Sequence, residues 1–348
     1  MPEPRTRAML AESLYQDAEL LLFSARDCDP ESGLIAAKRW RHARFETVRV
    51  PLPPLVVVIS DPMRDDHRRI GDWIRVHAAV LDDHAPDKLA QIELLSHSHL
   101  AAHTIPAEAA EADRLAAQIA DCVARWGAVV VKPIDGMRGQ NVHFLLPIEP
   151  GRFELRSGMD AIEGSLAEMA EALHAKVAAR LGYRGFMIQQ FVSSTYRGRA
   201  LGLRVNVGKT PDGQWRTTRP AVRIGTIPGA LVTNYVSGAA QTDWHRFFAS
   251  SGLDPSIGPA AECLAREAAA LVDAHPDGSL IEAGVDLVLT ADGSLKLLEV
   301  NARLESSTWE QTRAAHVVAY YRAHAARPFA TRVPTSDADG ATPLQPAR

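Results

Sequence analysis

Asp286 and Glu299 are the residues of this sequence best suited to chemistry, because of where their spacing puts them. They lie in EAGVDLVLTADGSLKLLEVN, residues 282–301, where two apolar runs flank Asp292-Gly293. Asp-Gly between alternating apolar stretches predicts a hairpin closed by a two-residue type I′ turn, which needs positive φ at both central positions. That turn sets Ala291 against Ser294. Counting outward, Asp286 falls opposite Glu299, and Asn301 lies one step further on the same face, opposite Gly284. Two carboxylates directly opposed on a mostly apolar hairpin repel. A divalent cation held by oxygen ligands between them would remove that cost.

Two further groups suit anions. Lys132 sits near the end of the apolar run AVVVKPI and precedes Gly136, Met137, Arg138 and Gly139. Glycines let backbone amides approach phosphate oxygens, and a lysine beside them adds a point charge. The pattern is not a P-loop, since no Gly-Lys-Ser/Thr opens a helix. A lysine at a strand end before a tight hairpin would look the same. At Asp212-Gly213 a second two-residue turn places Arg204 opposite Ala221, with Arg219 and Arg223 on either side. Leu201, Leu203, Val205 and Val207 take the other face. Guanidiniums bind phosphate and carboxylate bidentately. The alternative is a solvated basic face, and Arg219 is the arginine expected to meet solvent.

Other polar clusters fit ordinary roles. His97, His99 and His103 sit near a helix end, His97 and His99 share no helical face, and the three read as surface or C-terminal-turn histidines. Ser193-Ser194-Thr195 has no evident histidine or aspartate partner, so no nucleophilic serine is expected. Trp215, Trp244 and Trp309 read as packing residues.

The elements that must position these groups follow from periodicity. Residues 1–50 alternate short helical patterns with charged loops. Residues 55–60, bounded by prolines and rich in valine, predict a buried strand. A helix is predicted from Asp87-Lys88 to just before Ile105-Pro106, and a second over about 108–126. Strands at 128–134 and 141–148 flank the glycine loop. An amphipathic helix spans 164–181, with Leu166, Met169, Leu173 and Val177 on one face. The strand FMIQQFV, the arginine hairpin, a helix near 260–274 and the carboxylate hairpin follow. A last helix is predicted from Ser307, where Ser307 and Glu310 make a capping box. Residues 328–348 lack periodicity and are expected to be disordered.

Composition narrows the class. At 348 residues the chain can hold two or three domains. A formal charge of -4 and 46% hydrophobic residues suit a globular protein whose main partner is not nucleic acid. Cys28, Cys122 and Cys263 form no CxxC pair, which argues against a disulfide framework or zinc site and fits a reducing compartment. The first residues make a poor signal peptide, and no apolar run reaches membrane-spanning length. A cytoplasmic protein without membrane association is expected.

Taken in order, VVVKPIDGMRGQNV, MIQQFV, GLRVNV with AVRIGT, LVTNYVSGAA, and AGVDLVL with LLEVNARL resemble the ATP-grasp superfamily. Within it the chain is most similar to the YheC/YheD-like branch, known as endospore coat-associated proteins, over roughly residues 85–325. The resemblance implies an α+β fold in which two α+β subdomains clasp the nucleotide, preceded by a small α/β N-terminal domain. The boundaries it suggests are 1–84 for the N-terminal domain and 85–327 for the ATP-grasp domain. Within the latter, the lid subdomain covers about 104–192 and the C-terminal subdomain 193–327.

It also implies roles. Lys132 contacts the α/β-phosphates, and the loop of Gly136, Met137, Arg138 and Gly139 closes over them. Gln190, Phe191 and Val192 form the hinge whose backbone bonds adenine, and Lys88 begins the nucleotide-binding region. Asp286, Glu299 and Asn301 match metal-ligand positions, implying two Mg²⁺ ions, with Mn²⁺ as an alternative. Arg204, Arg223 and Asn234 match residues near the γ-phosphate and the acylphosphate, and Arg303 matches an intermediate-binding arginine. The sequence departs from the branch at Gln140, where many members have glycine, at Gly202, often aspartate, and at Ala239, where a Gly-Gly pair is usual. These positions bear on lid and substrate.

The function expected is an ATP-dependent carboxylate–amine ligase acting on small-molecule or peptide carboxylate and amine substrates, through an acylphosphate, releasing ADP and phosphate. Two alternatives stay open: a nucleotide-binding structural or assembly protein with little turnover, and an ATP-grasp enzyme that modifies a ribosomal peptide. A homodimer also stays open.

Overall fold

In the computed structural model, which describes residues 3–59, 65–136, 140–158, 160–233, 238–302, 304 and 309–326, both Asp-Gly hairpins form, with a different turn from the one predicted. Thr290 N donates to Ser294 O at 2.9 Å and Gly293 N to Thr290 O at 3.0 Å. The loop is therefore three residues long, and Gly293 alone among them takes a positive φ, 84°. This is a type I turn followed by a left-handed glycine. The Asp292 carboxylate favours it by accepting from the Thr290 hydroxyl and, at 3.2 Å, from Ser294 N.

The longer loop shifts the pairing by one residue, so Leu289 faces Leu295 and Leu287 faces Leu297. An irregularity at Leu298 shifts it back, and Asp286 faces Glu299 with Gly284 facing Asn301. The arginine hairpin repeats the device. Gly213 N donates to Thr210 O at 2.8 Å with φ 83°, Lys209 faces Trp215, and a bulge at Thr218 restores Arg204 to Ala221. A one-residue slip would send each side chain to the opposite face, so in each hairpin a bulge cancels the turn's offset before the charged residues are reached.

These two hairpins build one antiparallel sheet, in the order Ala239–Asp243, Trp215–Gly225, Arg199–Lys209, Glu282–Leu289, Leu295–Asn301, with the short strand Thr195–Tyr196 also pairing to Arg199–Lys209. Its apolar face, including Leu203, Val205, Val207, Val285 and Leu287, packs on the helix Ile257–Asp273. Ala261, Ala265, Ala268 and Ala269 of that helix are fully buried and let it lie close. The other face carries the charges.

A second sheet runs Asp160–Gly164, Arg152–Ser157, His143–Glu149, Val129–Pro133, Phe186–Gln190, Ala107–Ala109. The helices Leu115–Trp126 and Leu166–Leu181 cover its core. Ser165 and Glu168 form a capping box at the start of the latter. The helix predicted over 108–126 begins only at Leu115. Ala107–Ala109 is instead an edge strand against Met187–Gln189, and Gln118 fastens the change of direction by accepting from Glu111 N and donating to Ala109 O. The helix predicted to reach Ile105 is Lys88–Ser96. Its end is competed away by Ser96, His97 and Ser98, whose side chains bond the carbonyls of Glu93 and Leu95.

Met1–Glu12 and Asp82–Tyr320 form one compact unit, which contains both sheets. The second unit corrects the helical pattern expected for residues 1–50: after the helix Pro4–Tyr15, this stretch is mostly strand. Leu34–Arg41 pairs with Arg44–Pro51 across a two-residue turn. His42 and Ala43 carry its positive φ values of 48° and 59°. Neither is a residue that announces such a turn, which is why the hairpin is not apparent in the sequence. In the same unit Leu55–Val58 pairs with Ala79–Asp82, and Ile74 and Ala78 pack beneath Val56. The final helix is Glu310–Ala325, and Ser307 lies outside the described residues, as does the tail expected at 328–348. No described helix is long and apolar enough to cross a membrane.

Candidate active site

Three strands set a charged row across the polar face of the first sheet: Arg204, Asp286 and Glu299 stand side by side, with Ala221 flanking Arg204. Arg204 Nε lies 3.1 Å from Asp286 Oδ1, and its Nη1 donates to Gly284 O at 2.6 Å. Arg223 Nη1 reaches the same Oδ1 at 3.3 Å. Asn301 Nδ2 donates to Asp286 Oδ2 at 3.1 Å and to Glu299 Oε1 at 3.0 Å. Lys88 Nζ lies 3.4 Å from Glu299 Oε2. The opposed carboxylates are thus held together by Arg204, Arg223, Lys88 and an amide. The hairpin alone does not demand a metal, contrary to the expectation drawn from the repulsion.

Lys88 owes its position to backbone geometry. Asp87 caps its helix by accepting from Leu89 N and Ala90 N. Gln91, buried one turn on, donates to Val300 O and accepts from Val300 N, both at 3.0 Å, which pins the helix start to the Glu299 strand. Lys88 Nζ also donates to Gly136 O at 2.6 Å.

Burial drives the protonation equilibria, and neighbours decide their sign. Burial pushes Lys132 down to about 8, helped by Lys88 and opposed by Glu299 and Asp286. Burial would raise Glu299, but Lys88 and Lys132 outweigh it and hold the carboxyl at about 2. Asp286 is raised by burial and by Glu299, against Arg204 and Arg223.

A cavity of about 190 Å³ opens beside this row. Lys88, Lys132, Arg223, Asp286 and Glu299 line its polar end, and Val130, Phe144 and Phe191 its apolar end. Within the expected hinge, Gln190 N donates to Pro106 O and Phe191 N to Ala128 O. Among the described residues, Val192 N–H is the hinge amide with no acceptor. Gln189 also lines the cavity and was not among the residues singled out by sequence. It is fully buried, its Nε2 bonds Ile105 O at 3.4 Å, and its Oε1 has no partner among the described residues. The signal was present as a glutamine pair, Gln189-Gln190, at the end of an apolar strand.

Asp286, Glu299 and Asn301 offer hard oxygen donors of the kind magnesium shares with phosphates and water. The Asn301 amide turns its nitrogen to both carboxylates, and a half-turn of that amide would offer its oxygen instead. Among the described residues no three His, Cys, Asp or Glu side chains gather as a metal site. The residues fit an ion whose shell is completed by substrate and water.

The other expected residues divide clearly. Met137, Arg138, Gly139, Asn234 and Arg303 lie outside the described residues. Arg219, expected in solvent, is half-buried and stacks on the Trp309 indole. The histidines are engaged locally, with His99 Nε2 2.9 Å from Glu267 Oε2 and His103 Nδ1 2.8 Å from Leu295 O.

Gly284 is required by close approach. A Cβ there would lie 2.2 Å from Arg204 Nη1 and 2.6 Å from Leu304 Cδ2. Gly284→Ala is expected to displace the guanidinium and destabilise the protein by about 1–3 kcal/mol, read by urea unfolding. Unchanged stability would mean that Arg204 has room to move.

A sequence model of the YheC/D-like ATP-grasp family matches residues 77–325. No curated protein matches the sequence. Among solved structures, the ATP-grasp ligase PsnB complexed with minimal precursor is 14% identical, covering 90% of this chain and 95% of its own, with TM-score 0.49. The D-alanyl-alanine synthetase A of Vibrio cholerae is 12% identical, covering 89% and 82%, with TM-score 0.48. The N5-carboxyaminoimidazole synthase of Aspergillus clavatus is 17% identical over 73% of this chain, with TM-score 0.44, and this chain spans 57% of that enzyme's length.

Proposed function

This chain belongs to the YheC/D-like ATP-grasp family, and from that premise we propose that it is an ATP-dependent carboxylate–amine ligase working through an acylphosphate. The observation that carries the proposal is the polarity of one cavity. At one end lie apolar walls, the unpaired Gln189 oxygen and the Val192 amide; at the other, Lys88, Lys132 and Arg223 stand around two carboxylates. An adenine ring fits the first end, its amino group donating to Gln189 Oε1. A polyphosphate fits the second.

Asp286, Glu299 and Asn301 would hold magnesium, which when bound neutralises phosphate charge and ties the phosphates in one orientation. The protein's own part is positioning and charge. Arg204 and Arg223 face the γ-phosphoryl group, and Lys132 the phosphates behind it. An oxygen of the substrate carboxylate bonds to the γ-phosphorus as the bond to the departing ADP breaks. The amine nitrogen then bonds to the acyl carbon, phosphate leaves with the C–O electron pair, and the amine proton passes to solvent. No protein nucleophile is needed.

ADP release is measured over a panel of carboxylates and amines, alongside ATP binding. Release that requires both a carboxylate and an amine is the expected result. ATP binding with no ADP formation across the panel would favour an assembly protein instead. Gln189→Ala is expected to reduce the preference for ATP over GTP by about tenfold in competition binding. An unchanged preference would place adenine elsewhere.

A further inference from the structure

The charged face continues past the row of Arg204. Along Arg199–Lys209, Gly202 pairs with Arg223, Arg204 with Ala221 and Asn206 with Arg219. Arg223 lines the cavity with Lys132, and Arg204 meets Asp286. Arg219 stands one row further from the apolar end, in the row that contains Gly284 and Asn301. Alternate residues on a strand are ~7 Å apart. If the phosphates end near Arg204, the next row faces whatever takes the phosphoryl group.

Arg219 is built into place there. Its guanidinium stacks on the Trp309 indole, and Trp309 Nε1 donates to Gln241 Oε1 at 3.3 Å. Trp309 and Gln241 come from different elements. Among the described residues the guanidinium has no hydrogen-bonded or ion-paired partner. Asp243, the acid that acts on it through space, is committed to capping the helix Trp244–Ser250 through Arg246 N at 2.8 Å. A guanidinium held over an indole, with no acid on its N–H groups, leaves those groups to receive a carboxylate.

We infer that Arg219, braced by Trp309 and Gln241, selects an acid carrying a second anionic group about one sheet row, ~7 Å, from the carboxylate that is phosphorylated. The inference rests on the ligase reading above. The ends of a dicarboxylate of glutarate to adipate length meet that spacing, and its reacting end lies toward Arg204 and Asp286. Arg219 is thereby a specificity-determining residue, which takes no part in moving the phosphoryl group.

The test titrates the protein, loaded with ADP and magnesium, with glutarate and with its half-amide glutaramate, which keeps one carboxylate and carries an uncharged amide at the other end, in wild type and Arg219→Ala. ADP affinity is measured in the same samples. Glutarate is expected to bind wild type at least about tenfold more tightly than glutaramate, as a charge-assisted pair implies. That ratio is expected to collapse in Arg219→Ala while ADP affinity stays unchanged. If Arg219→Ala does not hold ADP, Arg219→Gln gives the same comparison with the stack on Trp309 kept. A wild-type ratio near one, or an undiminished ratio in the variants with ADP still bound, overturns the inference and leaves the nucleotide site standing. Wild type that binds no ADP overturns the ligase reading and this inference together.

Discussion

Glu299→Gln is expected to lower ADP formation by about 10²–10³-fold, the range seen when one preorganised electrostatic group is lost at a reacting phosphoryl or acyl centre. The substitution keeps shape and removes charge. Glu299 is the point where Lys88, Asn301 and the field of Lys132 converge, and these lysines hold its carboxyl at about 2, so it is an anion throughout the working range. Without that charge, two lysines face each other across the cavity and the oxygen set for a cation loses one of its two carboxylates. Single-turnover ADP formation at saturating ATP checks the effect, and equal turnover by both proteins would remove Glu299 from the phosphate machinery. Stability supplies a control that activity cannot. A carboxyl held below its ordinary 4.5 stabilises the fold above that pH and loses its contribution as pH falls toward about 2. Wild type should therefore lose stability more steeply than the glutamine variant across that window.

The carboxylate pair was legible in the sequence for a reason only partly right. The Asp-Gly signal located the hairpin, but threonine and aspartate side chains at 290 and 292 favour a longer loop. The pairing of Asp286 with Glu299 survives because the irregularity at Leu298 restores the register. Bulges follow from twist and burial across several strands, and no local residue pattern announces them. The same limit hid Gln91 and Gln189, whose meaning depends on which backbone groups fold against them. Arg204 and Arg223 were visible as a basic face, yet their pairing with Asp286 requires Arg199–Lys209 to neighbour both hairpin partners, a nonlocal fact. The strands Leu34–Arg41 and Arg44–Pro51 were missed because His42 and Ala43, neither glycine nor asparagine, turn the chain.

Lys132→Met is expected to weaken ATP binding by about 100-fold, the loss of a charge-assisted contact to phosphate at a buried ammonium, while leaving the free protein at least as stable. The two effects have one cause. Lys132 is 8% exposed, and burial pushes its ammonium down to about 8 from 10.5. Between those values the unfolded chain holds a proton that the folded chain has released, so the stability of the free protein rises with pH across that window. Methionine fills similar space without that cost, and the variant should lack the rise. Nucleotide reverses the balance, because phosphate oxygens beside the ammonium favour its charged form. Above pH 8, ATP binding must therefore take up a proton, and affinity should fall by up to about tenfold per pH unit, the limit for one linked proton. Isothermal titration in two buffers of different ionisation enthalpy reads that proton directly. The expected result is uptake of close to one proton by wild type near pH 9, and none through this position in the methionine variant. Equal uptake by the two proteins would mean that Lys132 is not the source of the proton uptake and serves chiefly to hold Glu299 ionised.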